Sequence, residues 1–317
     1  MTAVTDEQNR PLVGISFILL GMAFISVNDL LVKLLSDRYP LHEIVFFRSV
    51  VGIAVSLILV KLEGGWTVLK TKRPGLHVAR ACLLVVANLS FFMALAAMPL
   101  AEATAIFFVA PLFMTILSFL ILKERIGPRR IAAVLVGFCG VLVMLKPGGE
   151  GGEGPGLLVS LLPMVAALSF ASFNILTRKL GASAKASAMA VYAQTMFIFV
   201  GIGFFVFAGD GRFAEGSDDV SMQFLFRAWS WPGTVDLLIL SGLGAISAGA
   251  AYSLSQAYRS ASAGTVAPFE YVALPLATFW GLVILNEVPD LRAVLGMMLI
   301  LGAGLYVFWR ERQRRAA

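Results

Sequence analysis

Residues 107–124 read FFVAPLFMTILSFLILKE, and residues 270–287 read EYVALPLATFWGLVILNE. Each is an apolar run with a Pro-Leu step near its start and a glutamate at its end. Pro111-Leu112 aligns with Pro275-Leu276 at an offset of 164, and a one-residue slip then brings Glu124 onto Glu287. Earlier in the chain Asn28 is followed five residues on by Lys33-Leu34, and Asn174 by Lys179-Leu180, at an offset of 146. One feature accounts for the growth of the offset. The connection over 209–234, GDGRFAEGSDDVSMQFLFRAWSWPGT, is longer than its counterpart near 61–76. The chain therefore reads as two copies of one unit.

The composition says what medium that unit occupies. Of the 317 residues 59% are hydrophobic and 14% charged, with a mean hydropathy of +0.86; ordinary soluble domains carry about 25% charged residues. A helix that crosses a bilayer needs about 20 apolar residues, and such runs lie at 12–35, 44–60, 77–97, 101–122, 130–146, 156–178, 186–208, 235–257, 264–285 and 292–309. The first run is about twice the length of a signal-peptide core, which makes it a retained span. Each copy holds five spans, an odd number, so the second enters the membrane inverted. The expectation is an all-α integral membrane protein of ten transmembrane helices in two inverted five-helix repeats, 11–146 and 156–309, with a basic cytoplasmic tail at 310–317. Inverted repeats are characteristic of secondary transporters, whose site lies near the midplane between the halves.

The formal charge of +6 invites a nucleic-acid reading, and the placement of the cations argues against it. Seventeen of the 25 Lys and Arg residues fall in the N-terminus, the C-terminus and alternate loops, including LKTKR (69–73), KERIGPRR (123–130) and RERQRR (310–315); five lie in the other loops. That is the positive-inside pattern, with both termini cytoplasmic. Trp229 and Trp231, in the long outside connection, suit a membrane-interface anchor. Cys82 and Cys139 sit within apolar spans as packing residues, and His42 and His77 lie at opposite helix mouths, so the sequence presents no metal site and calls for no cofactor. The Gly-rich KPGGEGGEGPG (146–156) lacks the Gly-Lys-Ser/Thr ending of a phosphate loop and reads as the linker between repeats.

The remaining charges lie inside spans, where they cost a few kcal/mol and face a bundle interior or a wet cavity. In SVNDLLVKLL (26–35), Asp29 and Lys33 are one helical turn apart, and the antiparallel second span brings Arg48 to the same depth. Near the opposite face Glu270 and Arg80 form a second layer. Asp29, Lys33, Arg48, Arg80 and Glu270 are therefore the gating candidates, with Asp29–Arg48 as the outer latch. Asp29 aligns with Ile175 and Glu270 with Ile106, so neither acid belongs to the duplicated scaffold, whereas Asn28 and Asn174 align and suggest a scaffold hydrogen bond. Cavity chemistry is assigned first to the two unduplicated acids. Asp29 and Glu270, with Tyr252, Tyr271, Trp280 and Phe108 for ring stacking, are the expected substrate-binding residues.

APLFMTILSFLILKERIGPRRIAAVLVGFCGVLVM (110–144) and APFEYVALPLATFWGLVILNEVPDLRAVLGMMLILGAG (267–304) together resemble the paired domains of the EamA branch of the drug/metabolite transporter superfamily. NDLLVKLL, VFFRS, RPGLHVAR and GVLVMLKP look most like the bacterial S-adenosylmethionine carriers within it; riboflavin and amino-acid carriers share the frame. The resemblance implies a basket of helices around a central cavity, a small-molecule metabolite as partner and a multi-pass position in the bacterial inner membrane. It also implies that Glu124 and Glu287 are structural repeat-end residues. A homodimer is left open. Two carboxylates in one cavity favour a ligand with positive charge, such as S-adenosylmethionine or another zwitterion. A membrane enzyme is the rival class, but the compact acidic pair Asp218-Asp219 stands in an outside loop without a supporting site, and a non-transporting receptor is the other.

Overall fold

The structure, a computed structural model, describes residues 11–62, 64–71, 73–123, 128–145, 156–180, 186–261 and 266–316. The linker expected over 146–156 lies outside these apart from its last residue, as does Glu124. Among the described residues there are only helices and their connections: α1 (Pro11–Leu35), α2 (Leu41–Leu62), α3 (Pro74–Ala97), α4 (Leu100–Phe107), α5 (Ala110–Leu122), α6 (Pro128–Met144), α7 (Leu157–Leu180), α8 (Ala186–Ala208), α9 (Val220–Phe226), α10 (Thr234–Ser260), α11 (Ala273–Val283) and α12 (Leu291–Ala316). A 3-10 segment, Ala267–Val272, leads into α11.

Among the described residues seven stretches are long and apolar enough to cross a bilayer: α1, α2, α3, the α4–α5 run Leu100–Ile121, α7, α8 and α10. Two more, Ile131–Met144 in α6 and Leu291–Tyr306 in α12, are shorter apolar helices. The run expected over 264–285 is divided, because the 3-10 segment winds more tightly than the helix that follows it. The basic tail is not a separate element; α12 continues through it as far as Ala316. Outward-facing Leu120, Leu142, Val206, Phe207 and Met298 are exposed, as lipid-facing side chains are.

Two interruptions have the same cause. Proline has no N–H, so Pro111 withdraws the donor that the Phe107 carbonyl would take, and the Leu112 N–H turns to Val109 O (2.9 Å) in place of Phe108 O. The helix accordingly breaks between Phe107 and Ala110. The 3-10 segment ends at Val272, three residues before the aligned proline, Pro275, as α4 ends four residues before Pro111. Each arm also carries a left-handed residue directly before its glutamate, Lys123 (φ 56°) and Asn286 (φ 56°).

The helices pack as pairs: α3 along α7, α1 along α10, α2 along α8, and α6 along α12. Small residues permit the last contact. A Cβ at Gly140 would stand 2.9 Å from Gly296 O, and one at Gly296 would stand 2.8 Å from Gly140 O. In the interior, α2 also meets α10, α8 meets α3, α4 meets α11, α7 meets α4 and α5, and α1 meets the 3-10 segment and α11. Ile44, Leu95, Leu100, Ile106 and Leu112 fill the main core, while Ile18, Met22, Ala257 and Val266 close α1 against the end of α10.

Candidate functional site

The helices enclose a cavity of about 400 Å³. Its polar atoms come from separate elements: Asn28 and Asp29 from α1, Arg48 from α2, Asn88 from α3, Gln194 from α8, and Glu270 from the 3-10 segment. Phe91, Phe92, Phe107, Phe108, Phe170 and Phe197 supply an aromatic wall. Both helix interruptions open onto it, since Phe107, Phe108, Glu270 and Ala273 are lining residues. Irregular backbone is tolerated at membrane depth where it borders such a space.

Asp29 reaches the cavity and does not form an ion pair with Arg48. Its Oδ1 accepts from Asn28 Nδ2 (3.1 Å), and Asn28 Oδ1 accepts from Ser247 Oγ (3.1 Å), which ties α1 to α10. Asn28 thus joins scaffold and cavity, while Asn174 Nδ2 turns back to Phe170 O (2.9 Å) on its own helix. Arg48 is 6% exposed. Its Nη2 donates to Asn88 Oδ1 (2.8 Å), and its guanidinium carbon lies 5.4 Å and 5.6 Å from the Phe92 and Phe197 ring centres. The expected latch is therefore not a direct contact in this structure. Asp29 takes the Asn28 carboxamide and Arg48 takes the Asn88 carboxamide instead.

Lys33 leaves that cluster altogether. Its Nζ lies 2.7 Å from Glu287 Oε1 and donates to Met98 O at 2.5 Å. Glu287 Oε2 accepts from the Leu100 N–H at 2.8 Å, and the Glu287 N–H bonds Gly281 O. Left-handed Asn286 turns the chain so that Glu287 points back into the bundle. Glu287 is more than a terminal residue, because it joins α1, the start of α4 and the end of the α11 arm.

The second expected pair is also re-partnered. Arg80 Nε donates to Thr177 Oγ1 (2.7 Å), and the guanidinium lies 4.4 Å from the Phe173 ring centre. Glu270 Oε1 accepts instead from the Tyr258 hydroxyl. The packing explains this: α3 carries Arg80 onto α7, whereas the segment holding Glu270 lies on α1.

Of the aromatic candidates, Phe108 lines the cavity. Tyr271 packs against Phe108 with ring centres 5.0 Å apart and planes tilted by 31°, and its hydroxyl occupies the space a side chain at Gly304 would need. Trp280 Nε1 donates to Ser26 Oγ (2.6 Å), which fastens α11 to α1 away from the lining. Tyr252 is 45% exposed; it accepts from Gln256 Nε2 (2.9 Å) and meets Phe17 edge-on. Hydropathy alone could not separate these positions, because lipid-facing, packed and cavity-facing aromatics all lie in apolar runs.

The connection over 209–233 covers the same face as Lys33. Arg227 Nη1 donates to Ser36 O, Ser221 Oγ to Met93 O, and the Ser230 N–H to Glu43 Oε2, at 2.9, 2.9 and 3.1 Å. Tyr39 donates to Asp236 Oδ2 (2.6 Å), and that carboxylate raises the Tyr39 phenol above its ordinary pKa. Trp231 is 83% exposed, whereas Trp229 packs among Phe46, Phe47 and Phe205. Asp219 of the acidic pair caps α9, its Oδ1 accepting from the Met222 N–H at 3.0 Å. His77 stacks on Tyr192, and no cluster of metal-ligating side chains occurs among the described residues.

A helical bundle with a polar and aromatic cavity at its broken helices is the architecture of a membrane transporter. The sequence comparisons agree. The model of the EamA-like transporter family matches residues 12–146. An S-adenosylmethionine uptake transporter of Rickettsia prowazekii is 31% identical over 310 residues, covering 98% of this chain and 97% of its own. A riboflavin transporter of Vibrio cholerae is 29% identical over 97% of both chains. One solved crystal structure superposes with a TM-score of 0.61 at 20% identity, over 95% of this chain and 97% of that one, and supports the fold alone. The chain belongs to the EamA-like transporter family.

Proposed function

We propose that the protein is an inner-membrane carrier that moves S-adenosylmethionine, or a related zwitterionic or cationic metabolite, by alternating access. The observation that carries this reading is one cavity in which Asp29, Glu270 and Arg48 stand beside a wall of phenylalanines. Sulfonium and ammonium groups suit the two carboxylates, and an adenine ring suits the aromatic wall. The relative named as an S-adenosylmethionine transporter supports the same assignment. A riboflavin reading has its own support in the Vibrio cholerae relative and the same aromatic wall, but leaves the charges without a use.

The carrier is built on two inverted repeats, 11–146 and 156–309, with both termini cytoplasmic. The packing supports this arrangement. Exchanging α1 with α7, α2 with α8, α3 with α10, the α4–α5 arm with the 3-10–α11 arm, and α6 with α12 turns the pair α3–α7 into α10–α1 and the pair α2–α10 into α8–α3. Two repeats related in this way interchange their conformations to open one face or the other. Lys33–Glu287 and Trp280–Ser26 tie α1 to the α11 arm and serve in this reading as outer-gate contacts, while Asp29, Arg48, Arg80 and Glu270 contribute the remaining charges of the gating layers.

The test is counterflow in proteoliposomes preloaded with S-adenosylmethionine. Labelled S-adenosylmethionine should accumulate, and riboflavin should compete poorly. Accumulation of riboflavin alone would replace this reading with the second one.

A further inference from the structure

Arg48 is a buried cation whose direct contacts in the fold are neutral, with the Asp29 carboxylate near enough to interact through space but not paired with it. Burying a charge without compensation costs several kcal/mol. Here the side chain donates once, to Asn88 Oδ1, and lies near the rings of Phe92 and Phe197. A guanidinium has five N–H donors in a planar fork. Among the described residues no carboxylate forms an ion pair with it, and it lines the cavity.

The internal repeat shows that the scaffold does not require this charge. At the offset of 146, Arg48 corresponds to Gln194, which also lines the cavity. Gln194 packs so closely on α2 that a Cβ at Gly52 would lie 2.6 Å from its Nε2. A polar side chain is kept at this level in both halves, and only one half makes it cationic. Asp29 is likewise unduplicated, opposite Ile175, and lines the same cavity without pairing with Arg48.

We propose that Arg48 is the carboxylate receptor of the cavity, and that Arg48 and Asp29 together bind the α-amino-acid head of the substrate. The guanidinium fork takes the carboxylate in a bidentate contact and Asp29 takes the ammonium. Asn88 positions the fork through Nη2. This inference rests on the carrier reading above and sharpens it: ligands are selected by an amino-acid head and not by an adenosyl group alone.

The experiment measures equilibrium binding of S-adenosylmethionine, S-adenosylhomocysteine and decarboxylated S-adenosylmethionine to the purified full chain in lipid nanodiscs. The wild-type protein should prefer the two carboxylate-bearing ligands by at least about tenfold, the change that corresponds to one charge-assisted contact. Arg48→Gln, which copies the residue of the other repeat, should reduce that preference to within about twofold. Asn88→Asp keeps the arginine but supplies an internal carboxylate beside it, and should abolish the preference in the same way. Thermal melts of each variant separate misfolding from loss of recognition. If folded Arg48→Gln retains the wild-type preference, or loses affinity for all three ligands equally, the inference is overturned while the carrier reading stands. If the wild-type protein binds none of the three, the carrier reading falls and takes the inference with it.

Discussion

Lys33 Nζ lies 2.7 Å from Glu287 Oε1, and the other oxygen of the same carboxylate accepts the Leu100 N–H at 2.8 Å. One ammonium and one carboxylate thus hold three chain segments, and both side chains are largely buried. Removing one member of a buried pair strands the other charge, whereas replacing both with apolar groups is close to neutral. A contact of this kind has two stable conditions, made or broken. That is the property a gate needs.

The single variants Lys33→Met and Glu287→Gln should each lower stability by about 3–5 kcal/mol, and Lys33→Met with Glu287→Met should recover most of it. Recovery should not extend to function. A cysteine placed at Ala251, on the cavity wall, should react faster with an impermeant thiol reagent added from outside in the double variant than in the parent. Equal labelling with wild-type uptake would reduce the pair to a structural tie.

Tyr258 donates to Glu270, and the carboxylate of Glu270 lines the cavity. Tyr258→Phe removes the donor and leaves the Glu270 acceptor facing the cavity, at a cost of about 1 kcal/mol. Uptake of a cationic substrate by Tyr258→Phe should fall less than by Glu270→Gln, because the first keeps the negative charge and the second removes it. Melting curves and initial uptake rates of the two variants in the same vesicles measure both effects.

Gly140 and Gly296 bring α6 and α12 into backbone contact, with no room for a methyl group on either side. Gly140→Ala and Gly296→Ala should each destabilise by about 1–3 kcal/mol through overpacking. These helices do not line the cavity, so ligand affinity of the folded fraction should be unchanged. Thermal unfolding followed by binding to the surviving folded protein checks this.

The distribution of Lys and Arg leads us to expect both termini inside. Reporter fusions after residues 73, 128, 182 and 317 should signal cytoplasm, and fusions near 150 and 218 should signal periplasm. A periplasmic reading at 317 would remove the basis for inverted repeats, since parity and charge bias support them together.

Much of this was legible along the chain because it depends on local properties. Hydropathy marks the apolar segments, and the unduplicated acids Asp29 and Glu270 point to the cavity they line; the two interruptions are not marked, since 101–122 and 264–285 each read as one continuous run. The partners of the charges were not legible. Helical periodicity places Lys33 on the Asp29 side of α1, but a lysine side chain is long and flexible, and its contact depends on what the neighbouring helices bring within reach. Glu287 comes from 254 residues further on, turned inward by the left-handed residue before it. Arg48 finds Asn88, Arg80 finds Thr177, and Trp280 finds Ser26 for the same reason. The sequence by itself determined the medium and most of the long apolar helices. Only the tertiary structure decided which charge faces which, because the rotation of each helix about its axis is settled by close packing against its neighbours and not by its own residues.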